Sequence, residues 1–352
     1  MQEPDGHAEQ ADLADWVGSI ATTFEQAASQ AGLAERRLRV AGAPVLLRGA
    51  GPLLTQLSHA LDHVADESDD EPELVISTWD SATPQIDDPP LPETDGSGPR
   101  GTLLYSSDGT RQVAYQVGLA QLSAYDGARN AWFWARDGAA LPWWEPAAPF
   151  RQILHWWLAE RDLMLLHGAS VGLTHGGVLL VGRGGSGKST CALSSLESNL
   201  LYAGDDYVAV GQSPVPYVSS LYCSGKLQPG HAKLLPHLPP PMFGGDGSED
   251  EKAVFYVSER FAERMCTGFP LRAVLAPRVV GGTEPRLLPM PPAHALRALA
   301  PSTLMQLRPP RPDALSWMAR LLQQVPAYEL QVGGPIDAIP RTIERLLVDL
   351  ER

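Results

Sequence analysis

At 352 residues with 44% hydrophobic content, the chain is long enough for two domains, or one elaborated domain, around a sizeable core. A net charge of -14 at pH 7 repels a polyanion, so nucleic acid is not an expected partner, and no run of eighteen apolar residues marks a membrane span. The cysteines, Cys191, Cys223 and Cys266, form no CxxC pair and suggest neither a disulfide framework nor a zinc knuckle; the acidic start MQEPDGHAEQADLADW has no secretory or transit pattern, which makes the cytoplasm the expected compartment.

Leu13, Trp16, Val17, Ile20 and Phe24 recur at helical spacing and predict a first helix over 12–30. Residues 37–47 read as one strand, 51–64 as an amphipathic helix, and the acidic run 66–73 as a solvated loop. Residues 74–79 read as a strand, and 80–100, rich in Pro, Asp and Gly, as a long exposed loop. Two short apolar runs, 103–105 and 112–117, flank Ser107-Asp108-Gly109-Thr110, a hairpin signal because Asp-Gly suits positive φ. A further strand is expected at 131–135. Pro146 and Pro149 precede a helix over 150–161 with the stripe Ile153, Trp156, Trp157 and Leu158. Trp143, Trp144, Trp156 and Trp157 crowd this junction; tryptophans can stack on a base, but this spacing favours packing between two units. The expectation is a mixed α+β domain over 1–145 and a second domain over 146–352, with a mobile Pro-, Gly- and acid-rich loop at 238–251 and a last helix at 341–351.

The densest signal lies in the second half. The apolar run 177–181 leads into Gly182-Arg183-Gly184-Gly185-Ser186-Gly187-Lys188-Ser189-Thr190 and then a helix over 191–196, so strand, G-x-x-x-x-G-K-[ST] and helix come in the order a P-loop requires. Glycines remove Cβ atoms so that successive N–H groups turn toward one anion, and a helix N-terminus adds about half a positive charge. ATP and Mg2+ are the expected ligands, with Lys188 reaching the β- and γ-phosphates and the Ser189 hydroxyl entering the metal shell. One helix later come Asp205 and Asp206, suited to holding Mg2+ and accepting the proton of an attacking hydroxyl. Along an extended chain they would point to opposite sides unless the backbone bends. His167 lies just before the strand that feeds the loop; near apolar residues a lone His is more often structural, but its position gives it a second reading. Lysine is scarce, and all four, Lys188, Lys226, Lys233 and Lys252, fall in one segment.

In order and spacing these residues resemble the HPr kinase-like family, whose core is a P-loop fold similar to phosphoenolpyruvate carboxykinase; His167 stands 15 positions before Gly182, and Lys188 17 before Asp205. The resemblance covers 146–352 and implies an α/β fold, a mixed-sheet P-loop kinase core preceded by a smaller α+β, sheet-containing domain. It implies Asp205 as the catalytic base, Asp206 as a Mg2+ partner, and His167 as the neighbour that keeps Asp205 ionised. Gly182, Gly184, Gly185, Ser186, Gly187, Lys188, Ser189 and Thr190 would form the nucleotide site, with Lys252 from the loop beside them and Lys226 as a substrate or phosphate contact. Trp156-Trp157, His167-Gly-Ala-Ser170, Leu221-Tyr-Cys-Ser-Gly-Lys226-Leu and Ala300-Pro-Ser-Thr-Leu304 resemble a subgroup found beside peptide-modification genes, including kinases of a serine in lasso-peptide precursors. The E-x-R-G-x-G signature of HPr kinase/phosphorylases is not found, so HPr as substrate, reverse phosphorolysis and a hexamer are not carried over. The implied activity is ATP-dependent transfer to a hydroxyl, that of a serine in a peptide or protein. A small acceptor such as free serine or a sugar, and a nucleotide-binding recognition protein with slow hydrolysis, stay open. A narrow closed pocket beside Asp205 would mark the small acceptor, and an open groove lined by the first domain the peptide.

Overall fold

The computed structural model describes residues 13–82, 86–94, 102–243, 252–307 and 309–351. The first half is built on a seven-stranded mixed sheet, in the order Leu33–Val40, Ala43–Ala50, Leu74–Asp80, Asn130–Ala135, Gln121–Tyr125, Gln112–Gln116 and Leu103–Ser107. Leu74–Asp80 runs parallel to both its neighbours, and every other pair is antiparallel. The helix Leu13–Ala31 buries the expected stripe on one face, its Phe24 ring 5.6 Å from that of Trp79; Asp12 lies outside the described residues.

Three expectations change here. The single strand at 37–47 is a hairpin, Leu33–Val40 and Ala43–Ala50, because Ala41 and Gly42 both take positive φ (49° and 83°) and fold the chain back. Ala-Gly announces such a turn less plainly than the Asp-Gly at 108–109, which was legible. The helix at 51–64 is a short α-helix, Leu53–Ser58, tightening into a 3-10 turn, His59–Val64. The loop after Asp80 is strapped down where it is described. Ile86 and Leu91 pack on the core, and Trp16 Nε1 donates to the Pro90 carbonyl at 2.7 Å.

The second half carries a nine-stranded mixed sheet whose main path runs Leu201–Gly204, Ala169–Leu173, Gly176–Leu180, Gly268–Val279, Tyr217–Ser219, Tyr207–Gly211 and Met164–His167. The far end of Gly268–Val279 also pairs in parallel with Ala327–Val332, which pairs with Arg286–Met290. Gly176–Leu180, the strand expected before the loop, is fully buried and parallel to Gly268–Val279. Helices Lys188–Ser194 and Ala338–Glu351 contribute to the core on one face. Pro292–Gln306 and Ala314–Gln324, which the sequence reading did not anticipate, fill the other.

Helix Arg151–Glu160 joins the halves. Ile153, Trp156, Trp157 and Leu158 share one apolar cluster with Leu47 and Phe133 of the first sheet and Tyr207 and Tyr222 of the second half. Burying a tryptophan removes roughly 200 Å² from water, worth about 5 kcal/mol before ordering costs, so Trp156 and Trp157 weigh heavily in this contact. Trp143 and Trp144 stay half-buried outside that cluster. Among the described residues no helix is long and apolar enough to cross a membrane. All three cysteines are free, and burial pushes the Cys191 thiol up to about 12 and those of Cys223 and Cys266 up to about 11, so each stays protonated at neutral pH.

Candidate active site

Where Gly176–Leu180 ends, the chain turns through Gly182, Gly185 and Gly187, with φ of 143°, 78° and 102°, before helix Lys188–Ser194 begins. These angles are strained for any side chain, which accounts for the glycines. A Cβ built on Gly184 or Gly185 meets nothing within 4 Å, so this turn is open and not sealed against a filled core. The Lys188 ammonium lies back along the loop, donating to the Gly182 carbonyl at 2.6 Å and the Arg183 carbonyl at 3.4 Å. Burial lowers its pKa, against the opposing pull of Asp205 and Asp206. Ser186 Oγ is buried with no hydrogen-bond partner.

Across from the loop, Asp206 adopts φ of 75° between strands Leu201–Gly204 and Tyr207–Gly211. This left-handed residue is the bend that lets two adjacent carboxylates line one site. Asp205 Oδ1 accepts from the Ser189 hydroxyl at 3.0 Å, and its Oδ2 accepts from the Lys226 backbone N–H at 3.1 Å. Asp206 Oδ2 accepts from the Lys226 ammonium at 2.6 Å, and its Oδ1 lies 3.0 Å from His167 Nε2. The resemblance sets His167 beside Asp205; its hydrogen-bond partner is Asp206, because the bend at 206 turns that carboxylate toward strand Met164–His167. His167 is fixed in turn by its backbone N–H donating to Thr303 Oγ1 at 3.1 Å and by a T-shaped contact of its ring with Tyr207, ring centroids 5.6 Å apart.

The two carboxyl groups are driven apart electrostatically. Burial, and then the charge of Asp206, raise the pKa of Asp205. Burial pushes Asp206 upward too, but Lys226 and His167 overcome it and hold that carboxyl well below its ordinary range.

His167, the loop from Gly184 to Thr190, Asp205, Asp206, Lys226 and Lys252 line a single cavity of about 60 Å³. At roughly 10–15 Å³ per water this has space for on the order of four waters, the scale of a phosphoryl group and a cation. Three of the chain's four lysines face two aspartates here, a local positive balance in a protein of net charge -14. Lys233, on the turn Pro229–Leu234, is exposed and does not line it. Gln228 and His231 also line the cavity, and nothing in the sequence marked them. Trp143, read from sequence as packing, has its ring centroid 5.6 Å from the Lys226 ammonium and so backs the cation that holds Asp206.

Among the described residues no cluster of three or more His, Cys, Asp or Glu could hold a metal. Mg2+ at a phosphate-binding loop needs only one or two carboxylates beside substrate phosphates and water. Ser189 Oγ and Asp205 Oδ1, 3.0 Å apart, have about the spacing of adjacent ligands around an octahedral Mg2+ at about 2.1 Å, so these residues fit the ion. The unpartnered Ser186 hydroxyl likewise fits a phosphate oxygen.

No protein-family model matches the sequence, and no curated protein matches it. Among solved structures the chain is similar to the Hpr(Ser) kinase/phosphatase from Coxiella burnetii, with 13% identity and a TM-score of 0.31 over 53% of this chain and 90% of that one.

Proposed function

We propose that the protein is a Mg2+- and ATP-dependent kinase of the P-loop type, transferring the γ-phosphoryl group to a hydroxyl, that of a serine in a peptide or protein. Residues 146–352 would carry the chemistry, and 1–145 would contribute to acceptor recognition. The observation that carries this reading is the Ser189 hydroxyl set 3.0 Å from Asp205, across from an open glycine turn and beside an Asp206 clamped by Lys226 and His167. Such a site works by position and charge, since phosphoryl transfer asks little covalent chemistry of the protein.

Lys188 leaves the Gly182 carbonyl to meet the phosphates, while the loop and Ser186 hold their oxygens. Ser189 and Asp205 would hold Mg2+ beside the nucleotide, where it would supply neutralisation of phosphate charge. Asp206, kept ionised by Lys226 and His167, receives the acceptor hydroxyl. The hydroxyl oxygen bonds to the γ-phosphorus as the bond to the β–γ bridging oxygen breaks; the proton passes to the carboxylate, and ADP departs with the electron pair. This exchanges the roles that the resemblance gave the two aspartates, and what supports the exchange is the Ser189–Asp205 pair. The original assignment, with Asp205 as base and Asp206 on the metal, is favoured by one fact: burial raises the proton affinity of Asp205.

Mg2+ titrations of phosphate transfer separate the two. Asp205→Asn is expected to raise the Mg2+ concentration for half-maximal rate at least tenfold, and Asp206→Asn to lower kcat with little change in that concentration. The opposite pattern restores the original roles. Lys188→Ala is expected to cut transfer on the order of 10²-fold or more; wild-type rates in it, or no Mg-ATP binding by the native protein, would remove the kinase reading. Phosphorylation of free serine or a sugar in preference to any peptide would point to the small-molecule alternative, and nucleotide binding without a phosphorylated product to a recognition protein.

A further inference from the structure

A second cavity, of about 460 Å³, lies between the first sheet and the second half, within the usual size range of ligand sites. Its wall includes Gln116 and Ser123 from the first sheet, Arg151 and Gln152 from the joining helix, and Tyr207 and Gln306 from the second half. Tyr207 connects it to the chemistry, since its ring packs on His167, which pairs with Asp206. Its hydroxyl donates to Gln306 Oε1 at 2.5 Å.

The lining selects a class of ligand. Among the described residues Arg151 is the one cation in the wall, and it is already paired with buried Glu145, so these residues offer no spare charge to a carboxylate or phosphate. It is instead rich in amides. Gln152 Nε2 is buried without an acceptor, and Gln121, directly opposite Gln116 in the ladder and on the same face of its strand as Ser123, is 2% exposed with neither Nε2 nor Oε1 partnered. An unmet buried donor or acceptor costs about 1–3 kcal/mol, so the Gln152 donor in the wall, and the Gln121 amide beside the lining residue Gln116, ask for an explanation. An unmet donor in the wall complements the C=O groups of an extended peptide. Leu103, also in the wall, begins strand Leu103–Ser107, which among the described residues is hydrogen-bonded on one side only and leaves an edge for such a segment.

We infer that this cavity binds the acceptor as an uncharged, extended peptide segment, whose amide carbonyl meets Gln152 while its hydroxyl reaches Asp206 past Tyr207. The inference rests on the kinase reading above. It makes Ser123 and Gln152 specificity determinants that touch neither nucleotide nor metal.

The test uses the full chain, radiolabelled Mg-ATP and a synthetic peptide mixture of uncharged residues around a central serine, with free serine as a second arm. Ser123→Phe fills the cavity, and Gln152→Leu removes a donor at nearly constant volume. Both variants are expected to raise the KM for the peptide mixture about tenfold while the Kd for Mg-ATP stays within twofold. If the native protein binds Mg-ATP but labels free serine and no peptide, or if both variants use peptide as the native chain does, the cavity is not the acceptor site although the kinase reading stands. If it does not bind Mg-ATP, the kinase reading itself fails, and this inference with it. A melting temperature within a few degrees of the native one shows that each variant folds; should Ser123→Phe not fold, the Gln152→Leu result decides.

Discussion

Removing the Lys226 ammonium probes the site's electrostatics without reference to any substrate. Its side chain is 4% exposed, that of Asp206 16%, and they meet at 2.6 Å. In Lys226→Met the Asp206 carboxylate keeps only His167, and breaking a buried pair from one side costs about 3–5 kcal/mol; losing the contact with Trp143 adds about 0.5–1. The penalty depends on pH. With Lys226 in place the Asp206 carboxyl lies well below the unfolded value near 3.9, so its contribution to stability is present above that value and lost only as pH falls through the folded pKa. Without Lys226 only His167 opposes burial, so the carboxyl moves up, and the variant should lose most at neutral pH and approach the native protein as pH falls toward 4. Asp206→Asn is the natural partner change, because Asn tolerates the left-handed φ of 75°. The double variant removes both charges and should recover at least half the loss. Urea denaturation of the four proteins at pH 7 and pH 4.5 measures this. A Lys226→Met loss below about 1 kcal/mol at pH 7, or a double variant as damaged as the sum of the singles, would refute the argument that these charges hold one another.

Two further outcomes follow from packing and burial. A Cβ at Gly177 would lie 2.1–2.5 Å from three carbons of the Phe269 ring, so Gly177→Ala should cost about 1–3 kcal/mol in unfolding free energy, and Phe269→Leu in the same chain should restore part of it. Burial lowers His63, 2.6 Å from Ser220 Oγ, to about 4, with Asp62 acting weakly the other way. The unfolded histidine takes its proton near 6.5, so the unfolded state binds more protons between those values, and stability should fall by about 2–3 kcal/mol as pH drops from 6.5 to 4. Melting curves of native protein and His63→Gln across that range check this, the variant falling less.

Much of the fold was legible where a pattern is contiguous. The first helix follows from Leu13, Val17, Ile20 and Phe24, and the hairpin at 107–112 from Asp108-Gly109, whose Asp108 carboxylate accepts from the Thr110 and Arg111 N–H groups at 2.9 and 2.7 Å. The strand Gln121–Tyr125 escaped notice because its polar–apolar alternation, Gln121 to Ala124, is at the short end of what marks a strand, and it lacks the contiguous apolar run of the buried strand 177–181. The helix Pro292–Gln306 escaped because Pro301 lies inside it, where a proline normally ends a helix.

The candidate site divides in the same way. Nine consecutive residues, Gly182 to Thr190, carry their own turn, since glycine alone takes those φ angles without strain, and three of these glycines do so in the fold. The sequence by itself therefore determined the loop, the strand before it and the acidic pair after the helix. It could not determine what that pair would touch. One left-handed residue, Asp206, decides that His167 meets it and that Ser189 meets Asp205, and the paired strands Ser224–Leu227 and Ala253–Tyr256 decide that Lys226 and Lys252 come to the same place. The second cavity joins positions 116, 152 and 306, which no local pattern relates. Backbone conformation is set by near neighbours and can be read along the chain, whereas charge pairing and cavity walls depend on which strands lie side by side, and sheet topology settles that only once the core has closed.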